Sequence, residues 1–125
     1  MKLSNPQSFG FKSLIFMAIF SSSFAFSATM EEQVKGAHAV GSLCKSYAEK
    51  LGRDSTNFAN LNIQTLRIAE SLGYTHEFET YKQQVSSLEK VLDSRLFKEY
   101  GSIEGVYDDW CQRFYNAFKK KVQIN

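Results

Sequence analysis

A small four-helix antiparallel bundle, all-α and tied by one disulfide, is the fold this sequence predicts, behind an N-terminal signal peptide. Three observations carry that expectation. Four segments repeat apolar residues at three- and four-residue spacing, the period of an amphipathic helix. Glycine follows the first three segments, and the only proline, Pro6, lies ahead of all four. The two cysteines, Cys44 and Cys111, fall on the first and last of these segments.

The N-terminal pattern predicts the compartment. Lys2 and Lys12 are the only charged residues before Glu31, and an apolar run, SLIFMAIF, occupies residues 13–20. Small residues mixed with two phenylalanines follow, SSSFAFSA. A basic start, a short apolar run and a small-residue exit read as a secretory signal peptide over residues 1–27. Cutting after Ser27 places Ala25 and Ser27 at the two positions that require small side chains. A cut after Ala25 is the alternative, whereas a cut after Ala28 would put the large Phe26 in one of those positions. The apolar run falls short of the roughly 20 residues that cross a bilayer. No cysteine lies near the cut to take a lipid.

Loss of Lys2 and Lys12 turns 15 basic and 13 acidic residues into 13 of each, so the mature chain is neutral. A neutral domain has no overall field to gather phosphates, and nucleic acid is not expected as a partner. Residues 28–125 have the length of one small helical domain. A core of that size is marginal, and a covalent staple strengthens it. Export and an even cysteine count predict a Cys44–Cys111 bridge. The loop it closes corresponds to roughly 4 kcal/mol in the chain-entropy picture. A redox role is disfavoured, because there is no CxxC and Asp108 and Asp109 would raise the Cys111 thiol pKa. Two distant cysteines with His38 and His76 give no zinc-ligand spacing, so no metal or other cofactor is expected.

The first helix is expected from Met30 to Leu51, capped by Thr29, with Glu31 and Glu32 in its first turn. Its apolar stripe is Val34, Ala37, Gly41, Cys44, Ala48 and Leu51, widened by Val40, Leu43 and Tyr47. Gly36 and Gly41 either admit a close neighbour or soften this helix. Gly52 suits the left-handed stop. Asp54 or Ser55 caps the second helix, which runs to about Leu72 with Phe58, Leu61, Thr65, Ile68 and Leu72 on one face. The third begins after Thr75 and ends at Tyr100 before Gly101, with a stripe of Phe78, Tyr81, Val85, Leu88, Leu92 and Leu96. The fourth starts after Ser102 and aligns Ile103, Val106, Trp110, Phe114, Ala117 and Val122. Tyr107, Cys111 and Phe118 flank that line, and Lys119, Lys120 and Lys121 complement the dipole at its end. In an up-down bundle the first and last helices are neighbours, which brings the two cysteines level.

Catalytic constellations are missing. Asp108 and Asp109 are adjacent, so on a helix they diverge by about 100° and share no proton. There is no GxSxG, and no glycine loop to cradle a phosphate. His38 reads as a boundary residue and His76 as an exposed one. The chain is expected not to be an enzyme. Aromatic residues are abundant, and Phe97, Tyr100 and Tyr115 fall off the main stripes, where large polar-tipped or stiff side chains serve protein interfaces. They are the expected partner-binding residues.

These readings converge on a periplasmic or secreted, non-enzymatic interaction protein: an inhibitor, accessory or immunity-like factor. Its expected partner is another envelope or secreted protein, with membrane contact peripheral at most. The alternatives are an envelope stress chaperone or a carrier holding an apolar molecule between Phe78, Tyr81, Trp110 and Phe114.

Overall fold

The computed structural model describes residues 29–122, and the leader read over residues 1–27 lies outside them. The helical periods become four helices: α1 (Met30–Lys50), α2 (Thr56–Ser71), α3 (Phe78–Tyr100) and α4. The last has three parts, an α-helical turn (Ile103–Gly105), a π-helical stretch (Val106–Cys111) and an α-helical run (Gln112–Val122). The described residues contain no strand.

Local chemistry sets the boundaries. Gly52 and Gly73 both take positive φ, which costs glycine nothing. Each closes a Schellman motif: Gly52 N–H donates to the Glu49 carbonyl and Arg53 N–H to that of Ala48, and Gly73 and Tyr74 repeat the pattern on Glu70 and Ala69. Gly101 ends α3 through a single bond to the Phe97 carbonyl. At the start of α2 the side chain that satisfies the helix is that of Asp54, which accepts from Thr56 N–H at 2.9 Å and from its hydroxyl at 2.6 Å. Ser102 caps α4 by accepting from Gly105 N–H at 3.0 Å.

The helices form a bundle around two apolar clusters. The first holds Val40, Leu43, Cys44, Tyr47 and Ala48 of α1, Phe58 and Leu61 of α2, Leu96 of α3, and Val106, Tyr107, Cys111 and Tyr115 of α4. Cys44 and Cys111 are bonded there, with Cα atoms 5.9 Å apart and neither residue exposed. Phe58 meets Tyr107 and Tyr115 edge-on, with ring centroids 5.7 and 5.5 Å away. The second cluster joins Val34 and Ala39 of α1, Ala69 of α2, and Tyr81 and Val85 of α3. Gly41 lets α2 approach α1: a Cβ there would lie 2.2 Å from Asn62 Oδ1 and 2.8 Å from Leu61 Cδ2. Gly36 has open space instead.

The π-helical stretch changes the register of α4. A π turn holds one residue more than an α turn, so the line facing the core after Val106 becomes Tyr107, Cys111 and Tyr115. Trp110 and Phe114 are rotated to its flank and half-buried, and Ala117 is exposed. Trp110, Phe114 and Phe118 stack along that flank with ring centroids 5.8 and 6.1 Å apart. Two apolar residues expected on stripes, Leu72 and Phe78, are also exposed. Both lie at helix ends, beyond the reach of the neighbouring clusters. No described helix is long and apolar enough to cross a membrane.

Replacing both cysteines by alanine is expected to remove about 4 kcal/mol of stability, the loop-closure contribution. A thermal melt of the oxidised protein beside the double variant measures it, and unchanged melting contradicts the staple. For Gly41→Ala a loss of about 1–3 kcal/mol is expected from overpacking against Asn62 and Leu61. Gly36→Ala should gain about 0.5–1 kcal/mol from helix propensity. Urea titration of the pair checks both signs.

Candidate functional site

The outer face of α3 is built by what the inner face consumes. Tyr81, Val85 and Leu96 are buried, and Leu88 and Leu92 are half-buried against the clusters. The opposite side therefore carries Lys90, Ser94 and Lys98 at i, i+4 and i+8, with Val91 and Arg95 in the adjoining row. These five residues line a shallow, open groove. Val91 is 56% exposed, and Phe97, beside the lysine row, is 50% exposed.

Five of the cations elsewhere have carboxylate partners, while Lys50, Arg67, Lys119, Lys120 and Lys121 make no ion pair among the described residues. Lys35 pairs with Glu31, Lys45 with Glu49, Lys82 with Glu79, Arg53 with Asp108 and Glu104, and Arg113 with Asp109. Lys90, Arg95 and Lys98 make no ion pair among the described residues. Among the carboxylates of α3, Glu99 follows Arg95 by one turn and is exposed, and two others have different surroundings. Asp93 accepts the Tyr47 hydroxyl proton. Glu89 is half-buried, and its pKa is raised by burial first and by the Asp93 charge second.

Of the three expected partner-binding residues, Phe97 stands on this face. Tyr100 is half-buried at the end of α3, where its hydroxyl donates to Asp109 Oδ2 at 2.5 Å and accepts from Arg113 at 3.1 Å. Arg113 completes a fork on both Asp109 oxygens, at 3.1 and 3.0 Å. Burial, ahead of the Asp109 hydrogen bond, pushes the Tyr100 phenol up to about 12. The Arg113 fork holds the Asp109 carboxyl below its usual range. Tyr100 therefore ties α3 to α4 and forms the rim of the face. Tyr115 corrects the expected surface position: it is 8% exposed and packs on Phe58. The π-helical register turned it inward.

A second polar tie surrounds the bridge. Arg53 Nη1 donates to Asp108 Oδ1 at 2.5 Å, and the guanidinium lies 5.7 Å from the Tyr107 ring centroid. Gln112 Nε2 donates to the Tyr107 carbonyl at 3.2 Å, serving an oxygen inside the π-helical stretch. Asp108 and Asp109 thus bind different arginines.

His76 is exposed, and His38 is half-buried between α1 and α3, as a boundary residue should be. The four residues of the expected carrier pocket are divided. Tyr81 belongs to the second cluster, Trp110 and Phe114 pack on the first, and Phe78 is 45% exposed. Among the described residues no group of three or more His, Cys, Asp or Glu side chains is placed to hold a metal. No protein-family model, curated protein or solved structure matches the chain.

Lys90, Val91, Arg95 and Lys98 did not stand out in the sequence. The signal that finds them is a row of cations opposite the Tyr81–Val85–Leu88–Leu92–Leu96 stripe.

Glu89 generates a pH-dependent prediction. Its carboxyl pKa is raised in the folded chain, so the ionised form opposes folding above the ordinary value of 4.5 and the penalty fades as pH falls toward it. Glu89→Gln should stabilise the protein by a constant amount at neutral and higher pH, with the gain shrinking only as pH falls through the raised carboxyl pKa toward 4.5. Urea midpoints of both proteins across that range test the sign. A gain independent of pH contradicts the assignment.

Proposed function

We propose that this chain is an exported, non-enzymatic interaction module that docks another envelope or secreted protein on the outer face of α3. The observation that carries the reading is the set of three unpaired cations, Lys90, Arg95 and Lys98, around half-exposed Val91 and Phe97. Apolar anchors supply contact area, and cations select an acidic partner surface and steer its approach. An inhibitor, accessory or immunity-like factor works in this way, by occupying a partner's surface.

Two finer features belong to the same reading. The first is cleavage of a leader near residue 27, supported by the basic, apolar and small-residue order of the N-terminal sequence. The second is an antiparallel order of successive helices. The first cluster draws on the C-terminal half of α1, the start of α2, the end of α3 and the start of α4, as an up-down path requires.

The test is capture from an envelope extract of the source cells, followed by affinity measurement on the protein retained in stoichiometric amount. Against that partner, Lys90→Glu/Arg95→Glu/Lys98→Glu is expected to weaken binding about 30-fold or more, since reversing three rim charges costs about 2 kcal/mol or more. Phe97→Ala is expected to weaken it about tenfold through loss of an anchor. Raising the salt from 50 to 500 mM should weaken the parent protein and spare the triple variant. Full affinity in the triple variant places the interface elsewhere.

A further inference from the structure

The two ends of the bundle are closed by different means. The first cluster has the Cys44–Cys111 bond, and the second has none. There α1 and α3 are held by apolar packing and by polar contacts. His38 Nδ1 lies 3.0 Å from the Tyr81 hydroxyl, and the two rings are 5.7 Å apart and tilted by 43°. Tyr81 itself is buried.

The surroundings decide which partner holds the proton. Burial pushes the Tyr81 phenol up to about 12, with the Glu70 charge from α2 adding to it, so the hydroxyl keeps its hydrogen. Burial also lowers the His38 pKa below its ordinary 6.5. We assign the neutral imidazole with Nδ1 accepting from Tyr81. Protonation would turn that acceptor into a donor and leave the buried tyrosine hydrogen without its partner. It would also place a second cation near Lys35, one turn earlier on α1, whose ammonium lies 6.0 Å from the Tyr81 ring centroid. Lys35 is itself tied to Glu31 at 2.7 Å and to Gln84 of α3. No carboxylate lies within hydrogen-bond reach of the His38 ring among the described residues.

We propose that the His38–Tyr81 pair is an acid-released latch between α1 and α3. Mild acid frees the second cluster and uncovers Val34, Tyr81 and Val85, while the disulfide keeps the first cluster closed. The sign follows from linkage. A histidine disfavoured as a cation in the folded state binds more protons when its surroundings open. The stability it contributes is therefore full above pH 6.5 and lost as pH falls below it. One extra proton on opening raises the open fraction by up to about tenfold per pH unit in that window. The native-state stabilisation from Asp54 and Asp109, whose carboxyls are held below 3.8, is lost only at lower pH. Glu89 titrates in the opposing sense, so Glu89→Gln is the cleaner background.

The test is amide hydrogen exchange of the oxidised, mature protein from pH 7.5 to 5.0, corrected for intrinsic rates, with apolar-dye fluorescence in parallel. Second-cluster amides of α1 and α3 should open progressively below pH 6.5, by up to tenfold per unit, while amides around Cys44 and Cys111 stay protected. His38→Gln keeps an acceptor that does not titrate, and should abolish the change over this range. Tyr81→Phe should raise opening of the second cluster at pH 7.5 by up to about tenfold, through loss of the hydrogen bond. As a readout free of substitutions, the imidazole resonance of His38 should titrate with the same midpoint as line changes at Tyr81 and Val85. Constant protection of the second cluster from pH 7.5 to 5.0 overturns the latch. An unaltered response in His38→Gln, or opening of both clusters together, overturns it equally.

Discussion

The bond between Cys44 and Cys111 is the constraint on which the other arrangements rest. It fixes α1 against α4 at one level, and four large buried rings gather around that level. Tyr47, Phe58, Tyr107 and Tyr115 surround it, and Arg53 reaches from the first turn to hold Asp108 across the Tyr107 ring. Small domains gain little stability from burial alone, so one bond that shortens the unfolded chain is large beside the total. The remaining contacts refine a geometry that this bond has already limited.

Most of the architecture was legible because it depends on local rules. Glycines at 52, 73 and 101 marked where helices stop, and each sits at positive φ. Asp54 or Ser55, and Ser102, marked where helices start; Asp54, one residue before the N-cap, takes the first N–H of α2, and Ser102 caps α4. A cysteine count of two, with the leader-like N-terminal pattern, pointed to the bridge. The π-helical stretch was not legible. Nothing in VYDDWC signals an extra residue per turn, because the cause is tertiary: Val106, Tyr107 and Cys111 are all buried within one short stretch. Its effect spread along α4. Tyr115 moved inside, Ala117 moved outside, and one of the three expected partner residues was lost to the core.

The candidate site was half legible for a related reason. Phe97 stood off the apolar stripe, and it is exposed. The cations beside it are ordinary on a solvated helix, and what marks them is their grouping with exposed Val91 and Phe97 on one face of α3. Lys35, Lys45, Lys82, Arg53 and Arg113 all find carboxylates, some of them distant in sequence. Residues 29–122 hold as many acids as bases, yet such a balance still permits a cationic face where ion pairs are unevenly distributed. That distribution belongs to the folded surface and cannot be read from composition.

The position of the bridge also orders events in time. Cys111 lies 67 residues after Cys44, so α2, α3 and the start of α4 must all be present before the bond can close. With no third cysteine, no competing pair can form within the chain. Once the first cluster assembles, neither cysteine is exposed, and a reductant reaches the sulfurs only if the aromatic shell parts. Oxidation is therefore late in the chain's history, free of misconnection, and protected afterwards by the same packing that it made possible.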